Sequence, residues 1–297
     1  MRVSRRGMLI GGLGLAGCAP GPGVPGPGRT DPPTDPASPP AAPSPTATPA
    51  SPPHSPAAPA AVSRDSIVAT YDGRPPGEFG LAVRGVVSTL PATDAFALTF
   101  DACGGASASA AGMAYDADLI AVLRRHRVPA TLFLNSRWIA GNREIAADLA
   151  SDELFELANH GTAHVPLSVS GASAYDIRGS RDAGEVYDEI SGAQADLTQL
   201  TGRVPRFFRA GTAHVDETSV EIAGALGLKV VNFSVNADAG ATASRLQVAA
   251  ALRRVRGGDI VIGHVNRPPG ETAEGLAAAL PALLDSGLRP VRLGELL

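Results

Sequence analysis

The 297-residue chain is poor in cysteine, aromatics and lysine. Two cysteines cannot build a disulfide scaffold. One lysine, Lys229, stands among 25 basic residues, the net charge is −4, and the folded part carries no block of like charge. That balance argues against a nucleic-acid footprint. No G-x-S-x-G elbow is present, which weakens a serine-hydrolase reading. Proline is abundant but unevenly placed, since 16 of the 26 fall between Ala19 and Val62. The remaining 235 residues, 63–297, hold ten and fit one large domain with a substantial core.

Arg2, Arg5 and Arg6 precede a short apolar run, Met8 to Gly17. Ten apolar or small residues at 1.5 Å of helical rise cannot cross a ~30 Å hydrocarbon core. The run therefore reads as a signal segment. Ser4-Arg5-Arg6 with Met8-Leu9 resembles a twin-arginine export signal, and Leu15-Ala16-Gly17-Cys18 resembles a bacterial lipobox, whose cysteine is acylated. Residues 1–18 are thus expected to be a lipoprotein signal. The expected location is extracytoplasmic, with Cys18 as the membrane anchor. Gly12, Gly14 and Gly17 also satisfy G-x-G-x-x-G, but no strand precedes them and no acidic residue follows at the required distance, so that motif fails its context.

Residues 19–62 are almost entirely Pro, Ala, Ser, Thr and Gly. Such a segment cannot repay its ordering entropy by burial and is expected to be a disordered, extended tether. At ~3.1 Å per residue it would reach up to ~140 Å from a membrane. Once Cys18 is acylated, Cys103 is the only thiol left, and no internal disulfide can form. Cys103 is expected to be a small buried residue at a strand end.

From Asp94 onward apolar runs alternate with segments of helical period. The runs are Phe96–Phe100, Ala130–Leu134, Phe155–Ala158, Arg206–Phe208, Val230–Val235, Ile260–Ile262 and Leu288–Val291. Helical period covers Asp116–His126, Ile139–Ala150, Asp182–Leu200, Thr218–Leu226, Ser244–Val255 and Ala273–Leu284. A lead-in, Ser63–Thr93, is expected to hold short strands. The alternation specifies a parallel α/β architecture, either a barrel or an open doubly wound sheet. The helix charges Arg124, Arg125, Asp182, Glu185, Asp188 and Glu189 read as solvated faces. Trp138 reads as core or groove lining.

Reactive side chains follow the strands in phase. Asp101 follows the first, His160 and His164 the third, Arg209 the fourth, Asp238 the fifth and His264 the sixth. Parallel strands present their C-terminal ends on one face, so these six are expected to converge. His160 and His164, four residues apart at a strand-to-helix turn, are spaced to face one metal. The residue after His160 is Gly161, so the general base of an H-E-x-x-H protease is missing.

Taken in order, these segments resemble the NodB-type polysaccharide deacetylases, carbohydrate esterase family 4. Leu98-Thr-Phe-Asp101 is similar to the family's T-F-D-D-G strand end, and Asn159-His160-Gly-Thr-Ala-His164 to its H-[ST]-x-x-H motif. Phe207-Phe208-Arg209 matches the start of F-R-P-P-Y, Asn236-Ala-Asp238 partly matches D-x-x-W, and Asp259 to His264 matches G-D-I-[IV]-L-x-H. The resemblance implies an irregular (β/α) barrel and a divalent cation, zinc, on His160 and His164. It further implies Asp101 as base, His264 as acid, Arg209 pairing with Asp101, Asp238 orienting His264, and the backbone N–H near Thr212 as oxyanion donor. Where the family has its second Asp, this chain has Ala102, then Cys103, so a third protein ligand is missing. Asp101, Cys103 or His214 could replace it, or the site could bind metal weakly. Ala210-Gly211-Thr212 and Ala239 also depart from the motifs. The implied activity is removal of N-acetyl groups from an extracytoplasmic glycan, peptidoglycan amino sugars being nearest. Deacylation of another acetylated sugar, or glycan binding without turnover, are the alternatives. Nothing in the sequence points to a protein partner.

Overall fold

The computed structural model describes residues 62–104 and 113–297. The twin-arginine-like signal, Cys18 and all but the last residue of the tether lie outside the described residues.

Eight strands form the main sheet: β1 Ala95–Ala102, β2 Ala130–Leu134, β3 Phe155–Asn159, β4 Phe207–Phe208, β5 Lys229–Val230, β6 Val235–Asn236, β7 Ile260–His264 and β8 Arg289–Val291. All pairings are parallel, in the order β6-β7-β1-β2-β3-β4-β5, with β8 joining the N-terminal part of β1. Every residue of β1 and β2 is buried, as expected for strands covered on both faces.

Val230–Val235, expected as one strand, is two. β5 and β6 occupy opposite edges of the sheet, yet only residues 231–234 join them. Four residues and their flanking bonds span less than ~18 Å. The sheet must therefore curl until its edges nearly meet. The lead-in fills the remaining gap: Val87 N–H donates to Val230 O at 2.9 Å and Leu90 N–H to Gly258 O at 2.8 Å. The result is an α/β fold built on a curled parallel half-barrel.

Among the described residues eight helices pack around it: α1 Arg64–Tyr71, α2 Ala117–His126, α3 Ser136–Gly141, α4 Arg143–Ser151, α5 Ala183–Thr201, α6 Glu217–Ala225, α7 Arg245–Leu252 and α8 Thr272–Asp285. Their starts are written in the sequence. Asp116, Asp182, Asp216 and Ser244 each cap the first turn with a side-chain oxygen. Apolar stripes face inward, such as Ala183, Val186, Ile190, Ala193 and Leu197 on α5.

One expectation fails here and another is met only in part. Ile139–Ala150 is broken at Asn142, whose φ of −131° lies outside the helical region; its side chain donates to Trp138 O and Met113 O, competing with helical backbone bonds. The lead-in does hold a short strand, Phe79–Gly80 paired with Val215–Asp216, but it opens with a helix, α1, of which only Ile67 is buried. Its sequence pattern is faint because the helix is held by its Ser63 cap and by packing on α5, where Arg64 pairs with Asp188 at 3.0 Å.

Candidate active site

Register places the reactive groups at one level. His264 is the Cα partner of Asp101, Asp101 of Phe133, Leu134 of Asn159, and Asn159 of Phe208. Partners in adjacent parallel strands point to the same face. His160 and Arg209 immediately follow Asn159 and Phe208, and Asp238 follows β6.

Arg209 is wholly buried and its side chain donates three hydrogen bonds. Its Nη1 donates to Asp101 Oδ1 at 2.7 Å, Nε to Val231 O at 3.0 Å and Nη2 to Asn232 O at 3.1 Å. Its guanidinium lies 4.1 Å from the centre of the Phe133 ring. Burial pushes the Asp101 carboxyl up, but Arg209, His160 and His264 outweigh it and hold Asp101 below its ordinary value. Asp101 is therefore a buried carboxylate kept ionised.

His264 and Asp238 form a second pair, Nδ1 to Oδ1 at 2.9 Å. The other carboxylate oxygen of Asp238 accepts from His264 N–H at 2.7 Å and from Thr272 Oγ1 at 3.0 Å. Burial acts to deprotonate His264, but its hydrogen bonds to Asp238 and Cys103 and their charges raise it well above the ordinary imidazole value. Burial raises Asp238 and the His264 pair more than reverses this.

Between these pairs lie Cys103, His160 and His164, whose ligand atoms are all within 4.8 Å of one another. His160 is 1% exposed, and its Nδ1 meets Arg209 O at 2.9 Å, a contact only an N–H can make. With Nδ1 as donor, Nε2 is free to present a lone pair. It faces Cys103 Sγ and Asp101 Oδ2, each at 3.6 Å. The Nε2 of His164 is buried without a hydrogen-bond partner. The donors present fit a divalent cation: two imidazoles and a thiol converge, and one imidazole nitrogen is buried with nothing else to bind.

His164 sits at φ +56°, a left-handed conformation costing ~1–3 kcal/mol in a non-glycine residue. Neighbours hold it there. Glu189 of α5 accepts from Ala163 N–H at 2.7 Å and Val165 N–H at 3.4 Å, and Arg137 donates to Ala163 O. Asn135 bonds the carbonyls of His160 and Gly161 at 3.1 and 2.7 Å, and Asn159 Oδ1 accepts from Gly161 N–H at 2.8 Å. Two glycines leave room. A Cβ on Gly161 would meet Glu189 Oε1 at 2.3 Å, and one on Gly211 would meet the carbonyl carbon of His164 at 2.5 Å.

Six expected residues, Asp101, His160, His164, Arg209, Asp238 and His264, thus come together. Cys103 corrects its own expectation. It is half-buried rather than an inert core thiol, and His164, His160 and His264 outweigh burial to place its thiol well below the usual range. His214 lies outside the donor group; its Nδ1 meets Thr212 O at 2.7 Å and its ring sits between Phe79 and Tyr175. Thr212 is buried in the turn closed by Ala213 N–H on Ala210 O at 2.8 Å, beside Gly211 and hence His164. Glu189, expected on a solvated face, is 5% exposed and instead supports the His164 loop. The signal was available: Glu189 lies three residues after Val186 and next to Ile190 on the apolar stripe.

Residues 91–231 match the family model for polysaccharide deacetylase, a span that includes Asp101, Cys103, His160, His164 and Arg209. The chain is 28% identical over 184 residues to the chitooligosaccharide deacetylase of Bradyrhizobium sp. (strain ANU 289), covering 57% of this chain and 78% of that one. It is 23% identical over 177 residues to the uncharacterized protein YlxY of Bacillus subtilis (strain 168), covering 59% of this chain and 51% of that protein. The chain thus spans about half the length of YlxY. Among solved structures, BA3943 of Bacillus anthracis, a CE4 family pseudoenzyme, superposes with a TM-score of 0.59 at 20% identity, over 73% of this chain and 69% of that one. The Bc1960 peptidoglycan N-acetylglucosamine deacetylase gives 0.59 at 21% identity, over 71% and 92%. The fold is shared with these carbohydrate esterase family 4 structures, and it is residues 91–231 that match the polysaccharide deacetylase model.

Proposed function

We propose that this domain is a metal-dependent hydrolase that removes N-acetyl groups from an extracytoplasmic glycan, with peptidoglycan amino sugars as the nearest substrate. The observation that carries it is the placement of the Asp101 carboxylate, paired with Arg209, and the His264 imidazole, paired with Asp238, around the His160–His164–Cys103 donor group. His160 and His164 would hold the cation, which when bound supplies Lewis acidity toward the acetyl carbonyl and an attacking water.

The chain's own groups supply the rest. An amide has a poor leaving group, so the water must lose a proton as it attacks and the amine must gain one as it departs. Asp101 accepts the first proton. Arg209 is a positioning residue that keeps Asp101 ionised and pointed by a bond from Nη1. His264 donates the second proton, with Asp238 fixing its ring through Nδ1. The backbone N–H of Thr212, in the turn against His164, is the oxyanion donor in this reading.

A polymeric substrate is supported by the site's margin. Tyr175 and Asp176 form the two-residue turn between Ser173–Ala174 and Ile177–Arg178, both at positive φ. That turn presents Tyr175, 73% exposed, edge-on to His214 at 5.3 Å. An exposed aromatic on a strained, two-residue turn is suited to stack on a sugar ring. The extracytoplasmic location rests on the lipobox-like Leu15-Ala16-Gly17-Cys18 and the tether, which would place the domain among wall polymers.

A second reading, glycan binding without turnover, is favoured by one observation: Ala102, fully buried, offers no ligand atom. The two separate on acetate release. Release from N-acetylglucosamine oligomers or muropeptides with added Zn²⁺ or Co²⁺, lost in His160→Ala and Asp101→Ala, supports the hydrolase. Glycan binding with no acetate released under either metal overturns it. Acetate freed only from O-acetylated sugars would move the assignment to an esterase.

A further inference from the structure

We infer that Cys103 is the third protein ligand of the cation, making the site a thiolate–imidazole–imidazole centre. The inference rests on the proposed metal site and specifies its chemistry.

Three independent features converge on Cys103. First, the separation is right. Zinc bonds of ~2.3 Å to sulfur and ~2.05 Å to nitrogen, at a tetrahedral angle, put the two donors ~3.6 Å apart. Cys103 Sγ and His160 Nε2 are 3.6 Å apart. Second, both imidazoles have the required nitrogen available. Nδ1 of His160 is spent on Arg209 O, leaving Nε2 for the site, and the buried Nε2 of His164 has no hydrogen-bond partner. Third, the alternatives are less suited. Asp101 Oδ2 also lies 3.6 Å from His160 Nε2, but its Oδ1 is held by Arg209 at 2.7 Å and the carboxylate serves as the base of the proposed reaction; Ala102 has no donor atom, and His214 is tied to Thr212 O at 2.7 Å. Cys103, His160 and His164 are the donor group that the described residues bring together.

The chemistry of the donors then sets the cation. One sulfur and two imidazole nitrogens suit Zn²⁺ or Co²⁺ and disfavour Mg²⁺ and Ca²⁺, which take oxygen. Three protein ligands leave one tetrahedral position open, the arrangement of a catalytic rather than a structural site. A thiolate ligand also makes the centre sensitive to oxidants in a way a carboxylate would not, since Cys103 oxidised beyond the thiolate no longer ligates.

The test uses the full-length chain carrying Cys18→Ser, so that Cys103 is the only thiol. The apoprotein is titrated with Co²⁺ and followed by near-ultraviolet and visible absorption. One equivalent of Co²⁺ should produce a thiolate-to-cobalt charge-transfer band. Cys103→Ser should lose the band and weaken cobalt binding by at least ~10-fold. Cys103→Asp, which restores an anionic ligand, should bind cobalt more tightly than Cys103→Ser without the band. His160→Ala should abolish binding in either background. Stoichiometric binding with no charge-transfer band, and unchanged affinity in a folded Cys103→Ser protein, would overturn the thiolate ligand while leaving a His160–His164 metal site standing. No cobalt binding at all would overturn both.

Discussion

Arg209 and Asp101 meet at 2.7 Å where neither side chain has appreciable access to water, 0% and 4% of their side-chain surfaces being exposed. A pair placed so deeply gains strong attraction but has paid heavy desolvation, so removing one partner strands the other. Arg209→Met should therefore destabilise the domain by ~3–5 kcal/mol, read from the urea midpoint. A loss below ~1 kcal/mol, typical of an exposed pair, would contradict the burial argument.

Glu189 holds the His164 loop by a charge-assisted hydrogen bond to Ala163 N–H. Glu189→Ala should cost ~1.5–3 kcal/mol in thermal unfolding. It should also weaken divalent-metal affinity by ~10–100-fold, because the loop no longer fixes His164. Glu189→Gln, retaining one acceptor, should lose less on both. A folded Glu189→Ala protein with wild-type metal affinity would show that the loop keeps its shape unaided.

His264 works as an acid only while protonated. Its folded value lies above the ordinary imidazole value, with Asp238 as a principal cause, so activity should persist above neutral pH and fall as pH rises through that raised value. Asp238→Asn removes the anion and should move the alkaline limb of kcat/KM to lower pH. His264→Gln should lower kcat by ~10²–10⁴-fold with a much smaller change in KM. An alkaline limb unmoved in Asp238→Asn would assign it to another group.

Tyr175 bears on polymer binding alone. Tyr175→Ala should leave stability unchanged, since the side chain is 73% exposed. An aromatic contact is worth ~0.5–1.5 kcal/mol. KM for a long acetylated glycan should thus rise roughly two- to tenfold, with little effect on a monosaccharide substrate. Equal effects on both would place Tyr175 in the reacting subsite.

The strand Ala130–Leu134 was legible because a parallel strand buried on both faces is a mostly apolar run of the right length. Helix starts were legible at Asp116, Asp182 and Ser244, where the capping oxygen is local to the sequence. The split of Val230–Val235 was not, because both halves are apolar and only closure of the sheet puts them on opposite edges. Nor was α1, whose stability comes from its contacts with α5.

For the site, the sequence by itself determined which side chains face one end of the barrel, since every parallel strand delivers its C-terminal residue there. It thereby brought Asp101, His160, His164, Arg209, Asp238 and His264 together. It did not distinguish among Asp101, Cys103 and His214 as a third ligand, because that choice depends on where side chains separated by up to 113 positions end up. Only the tertiary structure separates them: Arg209 takes Oδ1 of Asp101, the Thr212 carbonyl takes Nδ1 of His214, and Cys103 stands beside the two imidazoles, which is the basis of the proposed thiolate ligand. Glu189 is the same lesson, a charge that local pattern assigns to solvent and packing against the His164 loop assigns to the interior.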